Sequence, residues 1–115
     1  MGRFIYLDTA YNCDPADLID GVSDDRVAGV EAPLWTEEVA TFDDVEHLCF
    51  PRLEYVAEVG WTAQHLRSWD GFRPRSALHA ARLADTGVQL YRSPSLTDIL
   101  PLEVDTSRSK FSMSR

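Results

Sequence analysis

The chain of 115 residues lacks most of the features by which a sequence declares its business. It has no uninterrupted apolar run of about 18 residues, so no membrane span is expected. Met1, Gly2, Arg3, Phe4, Ile5, Tyr6 and Leu7 are followed at once by Asp8, which is too short an apolar stretch for an export signal. The chain is therefore expected in the cytoplasm by default. There are only 2 cysteines, Cys13 and Cys49, far apart and in no CxxC pair. That excludes a disulfide framework and a zinc site of the usual spacing. No GxGxxG, GxxxxGK[ST], GxSxG, HExxH or HxH pattern occurs, and no cofactor or metal is expected. Basic side chains are scarce, 11 against 19 acidic, for a net charge of −8. Such a field repels nucleic acid and anionic lipid surfaces and leaves neutral or cationic small molecules and proteins as partners.

What is present is an ordinary globular composition, 44% hydrophobic and 26% charged, enough for one domain with a real core. The run Phe4, Ile5, Tyr6, Leu7, Asp8 is aromatic and apolar and predicts a first strand over 4–8. An acidic connection over 9–26 follows, with Asp14, Asp17, Asp20, Asp24 and Asp25, and a second strand is predicted over 26–32, stopped by Pro33. The acidic residues before Gly21 miss the alternating spacing and distal Glu of a calcium loop.

From Thr41 the apolar period becomes helical, with Phe42, Val45, Leu48, Cys49, Leu53, Val56 and Ala57 on one face. Thr41 and Asp44 have capping-box spacing, and Pro51 predicts a break near residue 50. A second helix is predicted over 74–84, ended by Gly87, and a short strand over 88–91. Trp61 and Trp69 are expected to pack at helix ends, and His47, His65 and His79 to lie at the surface. Residues 97–115, rich in Ser, Arg and Lys, are expected to form a disordered tail.

Strands, polar connections and an amphipathic helix in this order are the grammar of an α/β fold. Two pairs of residues then stand out as candidate ligand contacts. Tyr6 and Asp8, two apart, share one side of the first predicted strand at its C-terminal end, and Trp35 and Glu37 repeat the spacing after the second. A ring beside a carboxylate suits a sugar, whose C–H face stacks on the ring while its hydroxyls donate to the carboxylate. The same spacing also fits core aromatics with Asp8 and Glu37 as caps. Glu31, in an apolar run, is expected to be exposed, paired or neutralised.

The run 29–37 with Glu31, Pro33, Trp35 and Glu37, then Phe50, Pro51, Arg52 and Leu53, then Ala57, Glu58, Val59, Gly60 and Trp61, and finally Tyr91, Arg92, Ser93 and Pro94 resemble the C-terminal end of the catalytic domain of family-20 glycoside hydrolases, the β-N-acetylhexosaminidases. Tyr6, Asp8 and Tyr11 resemble the family's Tyr-x-Asp strand end. The resemblance implies an α/β fragment of a (β/α)₈ barrel over residues 1–96, holding the last two strands and the C-terminal helices. It also implies substrate-assisted hydrolysis, in which the 2-acetamido carbonyl attacks the anomeric carbon. Carried over, Tyr6 would bond the acetamido oxygen, Asp8 and Glu37 would accept from distal hydroxyls, and Trp35 would wall the pocket. The ligand implied is a glycan containing N-acetylglucosamine or N-acetylgalactosamine. No adjacent Asp-Glu pair occurs to supply the family's general acid, so the chain is expected to be inactive alone, with a chain supplying the missing strands as one candidate partner; the alternatives are a non-catalytic amino-sugar-binding or barrel-completing module, or a truncated, non-functional product.

Overall fold

The computed structural model describes residues 7–99, and their regular structure is helical. Helix α1 spans Leu7–Tyr11, α2 Phe42–Cys49, α3 Arg52–Trp61, α4 Trp69–Asp85 and α5 Pro94–Thr97, with single 3₁₀ turns at Pro15–Asp17, Asp24–Arg26 and Gln64–Leu66.

The boundary of α2 is dictated locally. Thr41 Oγ1 accepts from the Asp44 N–H at 3.2 Å, and the Asp44 carboxylate accepts from the Thr41 N–H at 2.9 Å, so the expected capping box is formed. Pro51 separates α2 from α3 as expected, through a cis Phe50–Pro51 bond. Arg52 then closes the end of α2, its Nη1 donating to the carbonyls of His47 (3.2 Å) and Leu48 (3.4 Å).

Helix α4 begins five residues earlier than the proline suggested. Ser68 caps it by accepting from the Gly71 N–H at 3.3 Å, and Pro74 lies inside the helix rather than at its start. A hydroxyl cap with a free first turn outweighs the single hydrogen bond that Pro74 forfeits. The other end matches expectation: Gly87 takes φ +89° beyond the last turn, where a side chain would be strained.

Among the described residues, no part of the three predicted strands forms one. Residues 4–6 lie outside the described residues, while Leu7 and Asp8 belong to α1, because Leu7 and Tyr11, four apart, both bury themselves. Residues 27–36 are irregular, as are 88–91. A strand is defined by a ladder with a neighbour, and among the described residues none is available. Tyr91 instead donates its N–H to the Phe50 carbonyl at 2.9 Å, and the Gln89 N–H goes to Glu46 at 2.9 Å.

The core is small. Leu7, Ala77 and Leu96 form it, with Tyr55 and Trp69 packed against it, so it ties α1, α3, α4 and α5 together. Beside it Arg73 binds the Ser95 carbonyl at 2.8 Å and pairs with Asp98. Much apolar surface stays outside, including Leu18, Ile19, Phe42, Leu66 and Trp61, the last 91% exposed. Trp61 therefore does not pack at its helix end as expected, whereas Trp69 does, against Tyr11 and Phe72. Among the described residues no helix is long and apolar enough to cross a membrane. From residue 100 onward the expected tail lies outside the described residues.

Candidate functional site

Helix α1 is too short to persist alone, since nucleating a helical turn costs more than five residues return. It is held from outside. The Tyr11 ring is buried and stacks on Phe72 at 4.6 Å. Its hydroxyl accepts from the Ser68 N–H at 3.0 Å and donates to Glu58 Oε1 at 3.4 Å. Arg75 grips the same Glu58 carboxylate with both Nη atoms, at 3.2 and 2.7 Å. These bonds pull the Glu58 carboxyl below its ordinary range, Arg75 first, while burial pushes the Tyr11 phenol up.

Arg67 completes the support. Its side chain is 4% exposed, and Nη1 donates to the carbonyls of Tyr11 (3.4 Å) and Cys13 (3.1 Å). Nη2 lies 3.9 Å from Asp14, whose carboxylate caps the Pro15–Asp17 turn. On the turn so fixed, Asp8 is half-buried, and its Oδ1 accepts from the Thr9 N–H at 2.8 Å. Its own carbonyl accepts from Asn12 twice, from the N–H at 3.2 Å and from Nδ2 at 2.9 Å.

Residues 27–32 lie against α3. Gly60 allows this, because a β-carbon there would stand 3.1 Å from Val30 Cγ2. Between this segment, α1 and α3 opens an apolar cavity of about 810 Å³, lined by Ala10, Leu18, Val27, Val30, Val56 and Val59. Glu31 is exposed on its edge. Trp35 follows, 74% exposed, and Glu37 is exposed in the turn beyond it.

On the far side of α3, Glu54 accepts from Ser76 and lies 3.8 Å from His79 Nε2. Burial raises its carboxyl above the usual range, against the opposing pull of Ser76 and His79. Arg52 is pushed down by burial and lies 4.5 Å over the Tyr91 ring, which meets His47 edge-on at 5.4 Å. Of the three histidines, His65 and His79 are exposed and His47 is half-buried. No group of three His, Cys, Asp or Glu side chains capable of holding a metal occurs among the described residues.

The four residues proposed from sequence divide as follows. Tyr6 lies outside the described residues. Asp8 sits on a helical turn rather than a strand, because the buried pair Leu7 and Tyr11 sets the local period at four. Trp35 and Glu37 are both accessible, as ligand contacts must be, and neither is a core aromatic or a cap. No hydrogen bond, ion pair or ring contact joins Asp8 to either among the described residues. Sequence reasoning passed over Arg67, Glu58 and Arg75. Their partners are brought together by tertiary packing, so only the position of Arg67 directly before the cap Ser68 offered a local signal.

The chain is similar to characterised proteins over most of its length. Residues 2–64 match glycosyl hydrolase family 20, catalytic domain. A Beta-N-acetylhexosaminidase of Cellulomonas fimi is 41% identical over 93 residues, 81% of this chain and 19% of that protein. A Beta-hexosaminidase of Akkermansia muciniphila is 33% identical over 73 residues, 64% of this chain and 15% of that protein. The solved structure of a mutant Streptomyces plicatus beta-hexosaminidase in complex with its product, GlcNAc, superposes with a TM-score of 0.73 at 40% identity, over 78% of this chain and 18% of that one. The chain thus spans less than a fifth of the length of these relatives. It belongs to glycosyl hydrolase family 20.

Proposed function

We propose that this chain is the C-terminal portion of a family-20 β-N-acetylhexosaminidase barrel that contributes half of a sugar site without the acid that drives hydrolysis. In this reading residues 27–32 occupy one of the last strand positions, the turn of α1 that carries Asp8 stands at the end of another, and α2 to α4 are the helices that follow. Residues 27–32 acquire a ladder only when neighbouring strands are present, which accounts for their irregular course here. The packing of Val30 on Gly60 is the observation that carries this reading, since it lays the segment on α3 as a barrel strand lies under its helix.

Tyr6 would bond the acetamido oxygen of a terminal N-acetylhexosamine, Asp8 and Glu37 would accept from its distal hydroxyls, and Trp35 would cover its apolar face. The accessibility of Trp35 and Glu37 supports these roles. With no Asp-Glu pair to protonate the leaving oxygen, general acid catalysis is absent, a loss of about 10²–10⁴-fold in rate. The chain alone should therefore bind and not turn over.

A second reading, that the chain completes a barrel supplied by another polypeptide, is favoured by the apolar side chains left in solvent, Trp61 and Leu66 among them. Titration with N-acetylglucosamine, following tryptophan emission against a Trp35→Ala control, tests the sugar-binding claim. A saturable change lost in the variant is expected, and no change at millimolar sugar removes the claim. Release of nitrophenol from an N-acetylglucosaminide, abolished by Tyr6→Phe, would instead overturn the claim of inactivity.

A further inference from the structure

We infer that Arg67 is a positioning residue for Asp8. The inference rests on the proposed role of Asp8 as an acceptor of sugar hydroxyls. Helix α1 ends with carbonyls that its own backbone cannot satisfy, and Arg67 Nη1 takes two carbonyls at this end, those of Tyr11 and Cys13, at 3.4 and 3.1 Å. A side chain 4% exposed has little freedom to let go. Rigidity passes back along one turn: Asp8 and Tyr11 are neighbours on the helix surface, three residues apart, and the Asp8 carbonyl is held twice by Asn12. Residue 67 adjoins the cap of α4 and lies 56 residues from Tyr11, so the guanidinium ties the turn carrying Asp8 to the longest helix of the molecule.

Tyr11 contributes the other strap, through Ser68 and the carboxylate of Glu58. The two straps differ in what they hold. Tyr11 packs a ring into the core, where its loss disturbs everything nearby, whereas Arg67 holds main-chain oxygens at and just beyond the end of α1, and the Asp14 carboxylate beside them. Removing the guanidinium should therefore free the turn and leave α4 in place. Lysine can reach one carbonyl but not two in one plane, so it should restore the function in part.

The test is a cycle of Arg67→Gln, Asp8→Asn and the double variant in the 115-residue chain. It is read by N-acetylglucosamine affinity and by residue-resolved amide exchange. Arg67→Gln is expected to weaken sugar binding about tenfold, the scale of one hydrogen bond to a charged acceptor, to weaken it no further once Asp8 is Asn, and to be partly rescued by Lys. Equal weakening in both backgrounds would mean a general structural role and overturn the inference. If the wild-type chain does not bind the sugar, or Asp8→Asn binds as well as wild type, the role of Asp8 fails and amide exchange decides the positioning. Lost protection at Asn12 with protection kept at Phe72 supports it. Loss at both, or at neither, overturns it.

Discussion

Val30 rests on Gly60 so closely that a single methyl group on the glycine would stand 3.1 Å from the valine's Cγ2. Gly60 lies in the last turns of α3, where glycine is the weakest helix former short of proline, and the contact explains its presence.

Gly60→Ala should accordingly fail to deliver the stabilisation of about 1 kcal/mol usual for Gly→Ala in a helix. Gly60→Val should destabilise by about 1–3 kcal/mol as the segment 27–32 is pushed off α3. Thermal melts of both variants check the pair. A melting temperature raised by valine would show that the segment does not press on the helix.

Glu54 predicts a pH dependence of definite sign. Its carboxyl holds a proton more firmly in the folded chain than in the unfolded one, chiefly because it is buried. The associated stability is complete below the unfolded carboxylate range and is lost as pH rises through the raised folded value. Glu54→Gln, fixed in the neutral form and still able to accept from Ser76, should melt higher than wild type at neutral and alkaline pH. The difference should shrink on acidification. Melting curves at a series of pH values test this, and a gap that widens toward acid would refute it.

Tyr11→Phe removes one hydroxyl that serves both Ser68 and Glu58 while keeping the stacked ring. A loss of about 1 kcal/mol is expected, equivalent to roughly 4–8 °C in a domain of this size. Calorimetry of the variant provides the check, with Phe72→Ala as a reference for loss of the ring contact itself.

Arg52→Lys should cost about 1 kcal/mol although the charge is retained. The guanidinium lies over Tyr91 and reaches the carbonyls of His47 and Leu48 together, which a single ammonium cannot do. Denaturant titration measures the loss. Equal midpoints for the two proteins would mean that the planar group is dispensable.

The helical part of the chain was legible wherever the signal was local. Thr41 with Asp44, the break at Pro51 and the stop at Gly87 are each set by a few neighbouring residues, and each stands where the sequence places it. Pro74 misled because a proline can open a helix or sit within one, and the choice fell to Ser68, six residues before the expected start. The strands predicted over 26–32 and 88–91 failed for a different reason. The β-branched pattern of 26–32 states a preference, but a ladder needs a second strand, and none stands beside it among the described residues. Of the proposed site, Trp35 and Glu37 come from spacing and motif alone, and both stand exposed. The Arg67 and Glu58 supports were not legible in the sequence, since their bonds join residues 56 and 47 positions apart.

The cluster of Leu7, Ala77 and Leu96 brings together positions from the two extremes of the described chain. Closing so long a loop costs entropy before any contact rewards it, so this contact is expected to form late in folding. Once closed, it makes the chain behave as a ring. A proteolytic cut in the exposed stretch 31–38 would leave both pieces joined through the clasp, and new termini could be opened there with the old neighbourhood of Leu7 and Leu96 intact.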